Sequence, residues 1–294
     1  MELGSDAHRD LFCRTFFAGH RRYEPQELAW PELADAELAL LRGLPLWTHA
    51  RQFESDGGPM IRAVAAQERD PLVREALELQ AFEEARHARL IDFMIARYAL
   101  PAEPAKTRHL ADPVAEFVDF GFEECLDSFG AFGLFALARR SQLLPDPIFE
   151  IFDNVMREES QHIVFFVNWY AHREAARGRT ARLLRGPRAL WHYGKALRKA
   201  AELVRDDGAP EGADFIFTAA QSFLDDLTPR LVVETCLAEN ERRMAGFDRR
   251  LLVPTLMPRL AHLAAAGLRV AGRRASARPA TPPSESDSSR QRAA

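Results

Sequence analysis

The stretch EEARH, Glu83-Glu84-Ala85-Arg86-His87, decides how this chain reads, because it returns as EESQH, Glu158-Glu159-Ser160-Gln161-His162. Each copy holds a Glu-x-x-His inside apolar residues at helical spacing. Residues three apart on an α-helix lie about 300° round and about 4.5 Å along the axis, so they share a face. A carboxylate and an imidazole placed so can reach one metal ion. About 30 residues before each copy lies a further carboxylate on an apolar face, Glu54 and Glu124. Glu54, Glu84, His87, Glu124, Glu159 and His162 together can hold two metal ions inside a helical bundle. Carboxylate with imidazole suits iron, manganese or zinc.

Helix starts are marked by three Asp-Pro pairs, Asp70-Pro71, Asp112-Pro113 and Asp146-Pro147. Asp is a good N-cap and Pro is favoured at the first helical position. The expected helices run from Pro31 to Gln67 with a break near Pro45, from Pro71 to Tyr98, from Pro113 to Ser141, and from Pro147 to Arg177. The ligands fall on the apolar stripes: Leu77, Ala81, Glu84, His87, Ile91 and Ile95 on the second helix, and Phe152, Val155, Glu159, His162, Phe166 and Trp169 on the fourth. Glu124 shares a stripe with Phe117 and Phe120, whereas Glu123 lines up with Glu116, Asp119 and Asp127. The same logic selects Glu54, beside Trp47, Ala50 and Ile61. Glu83, Glu123 and Glu158 are therefore expected to be solvated neighbours.

Counting from the turns puts Glu54 level with Glu84 in one antiparallel hairpin, and Glu124 level with Glu159 in the other. The connection from Tyr98 to Asp112 can span about 40 Å when extended, enough for a crossover along a bundle. Glu54, Glu84 and His87 map onto Glu124, Glu159 and His162 with offsets of 70, 75 and 75, a weak internal repeat.

Composition supports a globular chain and excludes several classes. A formal net charge of −4 gives no reason to expect nucleic acid. The apolar stretch from Leu251 to Gly272 is broken by Pro254, Pro258, Arg259 and Arg269, which argues against a membrane span. Cys13, Cys125 and Cys236 are far apart and odd in number, and no secretion signal is evident at MELGSDAHRD, so the expected location is cytoplasmic.

The doubled motif resembles the ferritin-like di-metal carboxylate superfamily over about Trp47 to Tyr170. The resemblance implies an all-α four-helix bundle of two antiparallel hairpins joined by a long crossover, and a di-iron (sometimes manganese–iron) centre that reacts with oxygen or peroxide. Ile91 stands where radical-generating reductase subunits carry a tyrosine. Val155 stands where arylamine N-oxygenases carry an added histidine. No Cys pairs are present for the rubredoxin part of a rubrerythrin.

The expected layout is an N-terminal extension (1–30), the bundle (31–177), C-terminal helices (178–272) and a disordered tail (273–294). Within the third part, 213–226 and 229–247 read as a helix pair. Arg179, Arg182, Arg185, Arg188, Lys195, Arg198 and Lys199 read first as a solvated face, then as a surface for an anionic substrate, a carrier or a membrane. The expected function is a di-iron oxidase or oxygenase that uses O2 on an organic, partly apolar substrate, with electrons from a separate reductase. A ferroxidase or peroxide-scavenging protein is the alternative, and a non-catalytic metal-stabilised bundle the third reading. A homodimer is compatible with all three.

Overall fold

The Asp70 carboxylate accepts hydrogen bonds from the amides of Leu72 and Val73, and Asp112 does the same for Val114 and Ala115. These caps satisfy donors that a helix start otherwise leaves bare. The structure, a computed structural model describing residues 1–206 and 227–276, is entirely helical and without strands among those residues. Its α-helices are α1 (Asp6–Gly19), α2 (Asp35–Gly43), α3 (Trp47–Ala65), α4 (Pro71–Tyr98), α5 (Pro113–Ser141), α6 (Asp146–Ala176), α7 (Arg179–Asp206), α8 (Pro229–Met244) and α9 (Leu256–Ser276).

Two helix starts differ from expectation: α2 begins at Asp35 rather than Pro31, and α6 is capped one residue early. Pro145, not Asp146, occupies the cap of α6; Asp146 sits in the first turn, where its charge faces the positive end of the helix. The first long helix breaks near Pro45 as expected, into α2 and α3 at Leu44–Leu46. Pro45 disfavours a helical conformation at Leu44, which adopts φ −73° and ψ 125°.

Helix α3 packs on α4, α5 on α6, α3 on α5, and α4 on α6. Gly58 approaches Ala81 and Ala85 while Glu54 reaches His87, so numbering falls along one helix as it rises along the other. The Phe117–Trp169 and Phe135–Phe149 contacts show the same antiparallel sense for α5 and α6. The segment between α4 and α5 runs beside α3: the Glu103 amide donates to Thr48, and the Lys106 amide to Gln52. It is the expected long crossover.

Along α4 an apolar cluster at Val73–Ala81 is followed by the motif and then by a second cluster at Met94 and Tyr98. On α6 the order is reversed, with Ile148 and Phe149 before the motif and Ile163 to Tyr170 after it. The polar residues therefore form a layer between two apolar ones.

The segment before the bundle is part of the core. Helix α1 packs on α6 and α4 and buries Phe12, Cys13 and Phe16. The acidic face of α5 is covered rather than open: Asp119 meets His192 and Lys195 of α7, and Glu123 meets Lys199. Arg188 pairs with buried Glu174 of α6. Part of the basic stretch thus neutralises the protein's own carboxylates, while Arg179, Arg182, Arg188, Arg198 and Lys199 remain exposed, as expected of a solvated face. Helix α8, capped by Thr228, lies so close to α5 that a Cβ at Gly133 would fall 2.9 Å from the Cα of Cys236. The predicted helix at 213–226 lies outside the described residues. The predicted disordered tail is helical up to Ser276, and 277–294 lie outside the described residues.

Candidate metal centre

Helices α4 and α6 bring Glu84, His87, Glu159 and His162 together, with one donor atom from each inside a group no wider than 4.8 Å. All four side chains are buried. Their closest approaches cross the bundle. His162 Nδ1 lies 2.8 Å from Glu84 Oε1, and His87 Nδ1 lies 3.1 Å from Glu159 Oε1. Glu54 joins from α3, with Oε2 3.5 Å from His87 Nδ1. Glu124, buried on α5, is close enough to Glu84 and Glu159 to feel their charges. All six expected ligands therefore gather in one place. Glu54 is the most open of the six, with 16% of its side chain exposed. Gly57 makes room on α3, since a Cβ there would stand 2.9 Å from Glu84 Oε2.

The expectation that Glu83 and Glu158 are solvated is wrong. They are 2% and 1% exposed, and each holds the imidazole of the other motif. His162 Nε2 lies 3.0 Å from Glu83 Oε2, and His87 Nε2 lies 2.8 Å from Glu158 Oε2. An ionised carboxylate only accepts, so each Nε2 carries a proton and donates it, which leaves Nδ1 as the ring atom that faces the centre and would bind a metal.

A second tier holds these carboxylates. Arg86 Nη2 donates to Glu158 Oε1 at 2.7 Å, and its Nη1 donates to the Arg21 carbonyl at 2.8 Å. Tyr23 donates to Glu158 at 2.9 Å, and its ring lies 4.0 Å from the Arg86 guanidinium. His20 Nδ1 lies 2.6 Å from Glu83 Oε1. Arg21, Tyr23 and His20 all follow α1, so the N-terminal segment closes the centre on this side.

The electrostatics are those of a site short of positive charge. Burial pushes the Glu54 carboxyl above its usual range, and burial together with the Glu84 and Glu159 charges pushes Glu124 well above it. Burial opposes charge on His87 and His162, yet the surrounding carboxylates outweigh it and hold both imidazoles well above normal. Burial likewise opposes ionisation of Glu83 and Glu158, but their histidine partners win and hold both below normal.

A metal fits these residues. Glu54 Oε2, both oxygens of Glu84, both of Glu124, and Nδ1 of His87 and His162 are buried with no partner other than one another and Glu159. Buried polar atoms are rarely left so, and a set converging on one point could hold a metal ion. The charge of four ligand carboxylates equals that of two divalent ions. Cys125, next to Glu124, adds no thiolate: burial pushes its thiol up, only partly offset by its hydrogen bond with Tyr193.

Sequence reasoning missed Glu83, Glu158, Arg86, His20 and Tyr23. One signal was present: Glu83 and Glu158 recur at the same 75-residue offset as the ligands. Compared with models of protein families, with curated proteins and with solved structures, the chain matches none.

Proposed function

We propose that the chain is a ferritin-like di-iron oxidase or oxygenase, with two iron ions held by Glu54, Glu84, His87, Glu124, Glu159 and His162. The observation that carries this reading is the convergence of buried carboxylate oxygens and two Nδ1 atoms on one another, with both Nε2 atoms already held by other carboxylates. Bound iron supplies redox chemistry with O2 that these side chains lack. The protein's own part is to fix the ligand tautomers, exclude bulk water and orient a substrate. Glu54 stands on the wetter side of the centre, and Phe53 stacks on Phe120 at 4.8 Å close by. That aromatic wall favours an organic substrate with apolar character. No nicotinamide-, flavin- or iron–sulfur-binding motif occurs in the sequence, so electrons come from a separate reductase.

The experiment is anaerobic Fe(II) titration followed by measured oxygen uptake. Two ions per chain, with oxygen uptake abolished in Glu159→Ala, is the expected result. Equal uptake by wild type and variant overturns the reading. A one-ion site is the next reading the geometry favours, because Glu84, His87, Glu159 and His162 alone suffice for a four-coordinate ion. Saturation at one ion, unaffected by Glu124→Gln, would select it.

A further inference from the structure

Helix α7 gives one face to the protein and leaves the other bare. Ala181, Tyr193 and Ala196 are buried, while His192 and Lys195 reach Asp119. On the opposite side Leu183, Leu190 and Leu197 recur every seven residues, with Leu184 and Trp191 beside them, and all five are exposed. Leu183 is 82% and Trp191 69% exposed. A seven-residue repeat stays on one side of a helix, so the stripe runs about 21 Å. Gly186 and Gly194, on the same side, face open space. A continuous exposed apolar strip of this kind marks a surface that something covers.

The charges at its margins indicate what. From Arg179 to Ala201 the helix contains no Asp or Glu. Arg179 has no carboxylate partner among the described residues, Arg182 pairs with the exposed Glu2, and Arg198, 73% exposed, pairs with Glu202 one turn on. A second copy packed antiparallel about Leu190 would set Arg182 against Arg198, a repulsion offset only by the exposed Glu2 and Glu202. An anionic lipid surface meets both demands. Leucine and tryptophan enter the boundary between headgroups and acyl chains, and the arginines reach lipid phosphates along their aliphatic stems.

We propose that α7 lies flat on an anionic phospholipid surface through Leu183, Leu190, Trp191 and Leu197, with Arg179, Arg182 and Arg198 on the phosphates. No helix among the described residues is long and apolar enough to cross a membrane, so the contact is peripheral. Helix α7 packs on α5 and α6, the helices that carry Glu124, Glu159 and His162. The inference stands independently of which metal the centre holds.

The test is co-sedimentation of the full chain with vesicles of phosphatidylcholine alone or with about a third phosphatidylglycerol, together with tryptophan emission. The protein should bind the anionic vesicles and shift its emission to the blue, and the shift should vanish in Trp191→Ala. Leu183→Asn with Leu190→Asn should weaken binding by about tenfold or more, at unchanged helicity. High salt should release the protein. Absence of binding, equal binding to neutral vesicles, or full binding by the double variant overturns the proposal. So does a dimer in solution that the double variant dissociates, since a second copy would then own the stripe.

Discussion

Glu83 rides on the helix of His87 but holds the ring of His162, 3.0 Å from its Nε2. Glu158 returns the arrangement, holding His87 at 2.8 Å from the helix of His162. Such outer carboxylates set the tautomer and basicity of a ligand imidazole. Glu83→Gln or Glu158→Gln should therefore lower metal affinity by about 10- to 100-fold while leaving the number of ions bound unchanged. Competition with a chromophoric chelator reads this directly. Unchanged affinity in both variants would mean that the two residues only fill space.

The metal-free protein should lose stability as pH rises. His87 and His162 have raised pKa values when folded, so their contribution is complete below the unfolded value of about 6.5 and fades as pH passes the folded one. Glu54 and Glu124, raised mainly by burial, act in the same direction, because the folded state keeps their protons longer. Glu83 and Glu158 are depressed, so their contribution is lost only in acid. The Tm of chelator-treated protein should thus fall as pH rises above about 6.5, and bound metal should flatten the slope. A metal-free Tm that holds steady across that range would contradict the assigned directions.

Replacing Glu124 by Gln keeps the shape and removes a buried carboxyl that folding forces to hold a proton at neutral pH, where the unfolded chain would ionise it. The metal-free protein should gain about 1–3 kcal/mol at neutral pH, read as a Tm several degrees higher. The same variant should bind fewer ions. A lowered Tm would show that Glu124 already has what it needs.

Gly57→Ala separates folding from function. Its Cβ would meet Glu84 Oε2 at 2.9 Å and Phe120 Cζ at 3.1 Å. The carboxylate ends a flexible side chain and can swing aside, and alanine is worth about 1 kcal/mol over glycine inside a helix. Thermal stability should hold or rise slightly while metal affinity falls. Retained affinity would place Glu84 elsewhere in the loaded protein.

The fold was legible where local chemistry dominates. Asp70-Pro71 and Asp112-Pro113 place helix starts through their own side chains, and stripe periodicity places Glu84, His87, Glu159 and His162 inward. Glu83 and Glu158 were not legible, because they sit about 100° round from the ligand faces. Their burial depends on α1 and the segment after it, which carry no matching motif. Glu123 misled for a related reason: its face of α5 is polar, but Lys199 and the rest of α7 cover it. Local pattern shows which groups dislike water; it does not show which distant segment will shelter them.

The exchange of carboxylates between the motifs bears on how the two halves of the repeat can change. Each hairpin brings a histidine that it cannot hold and a carboxylate whose use lies in the other. A substitution at Glu83 is felt first by a ligand 79 residues away, and one at Glu158 by a ligand 71 residues earlier. Neither half is a working module, so drift in one must be answered in the other, and the two can be inherited only as a pair.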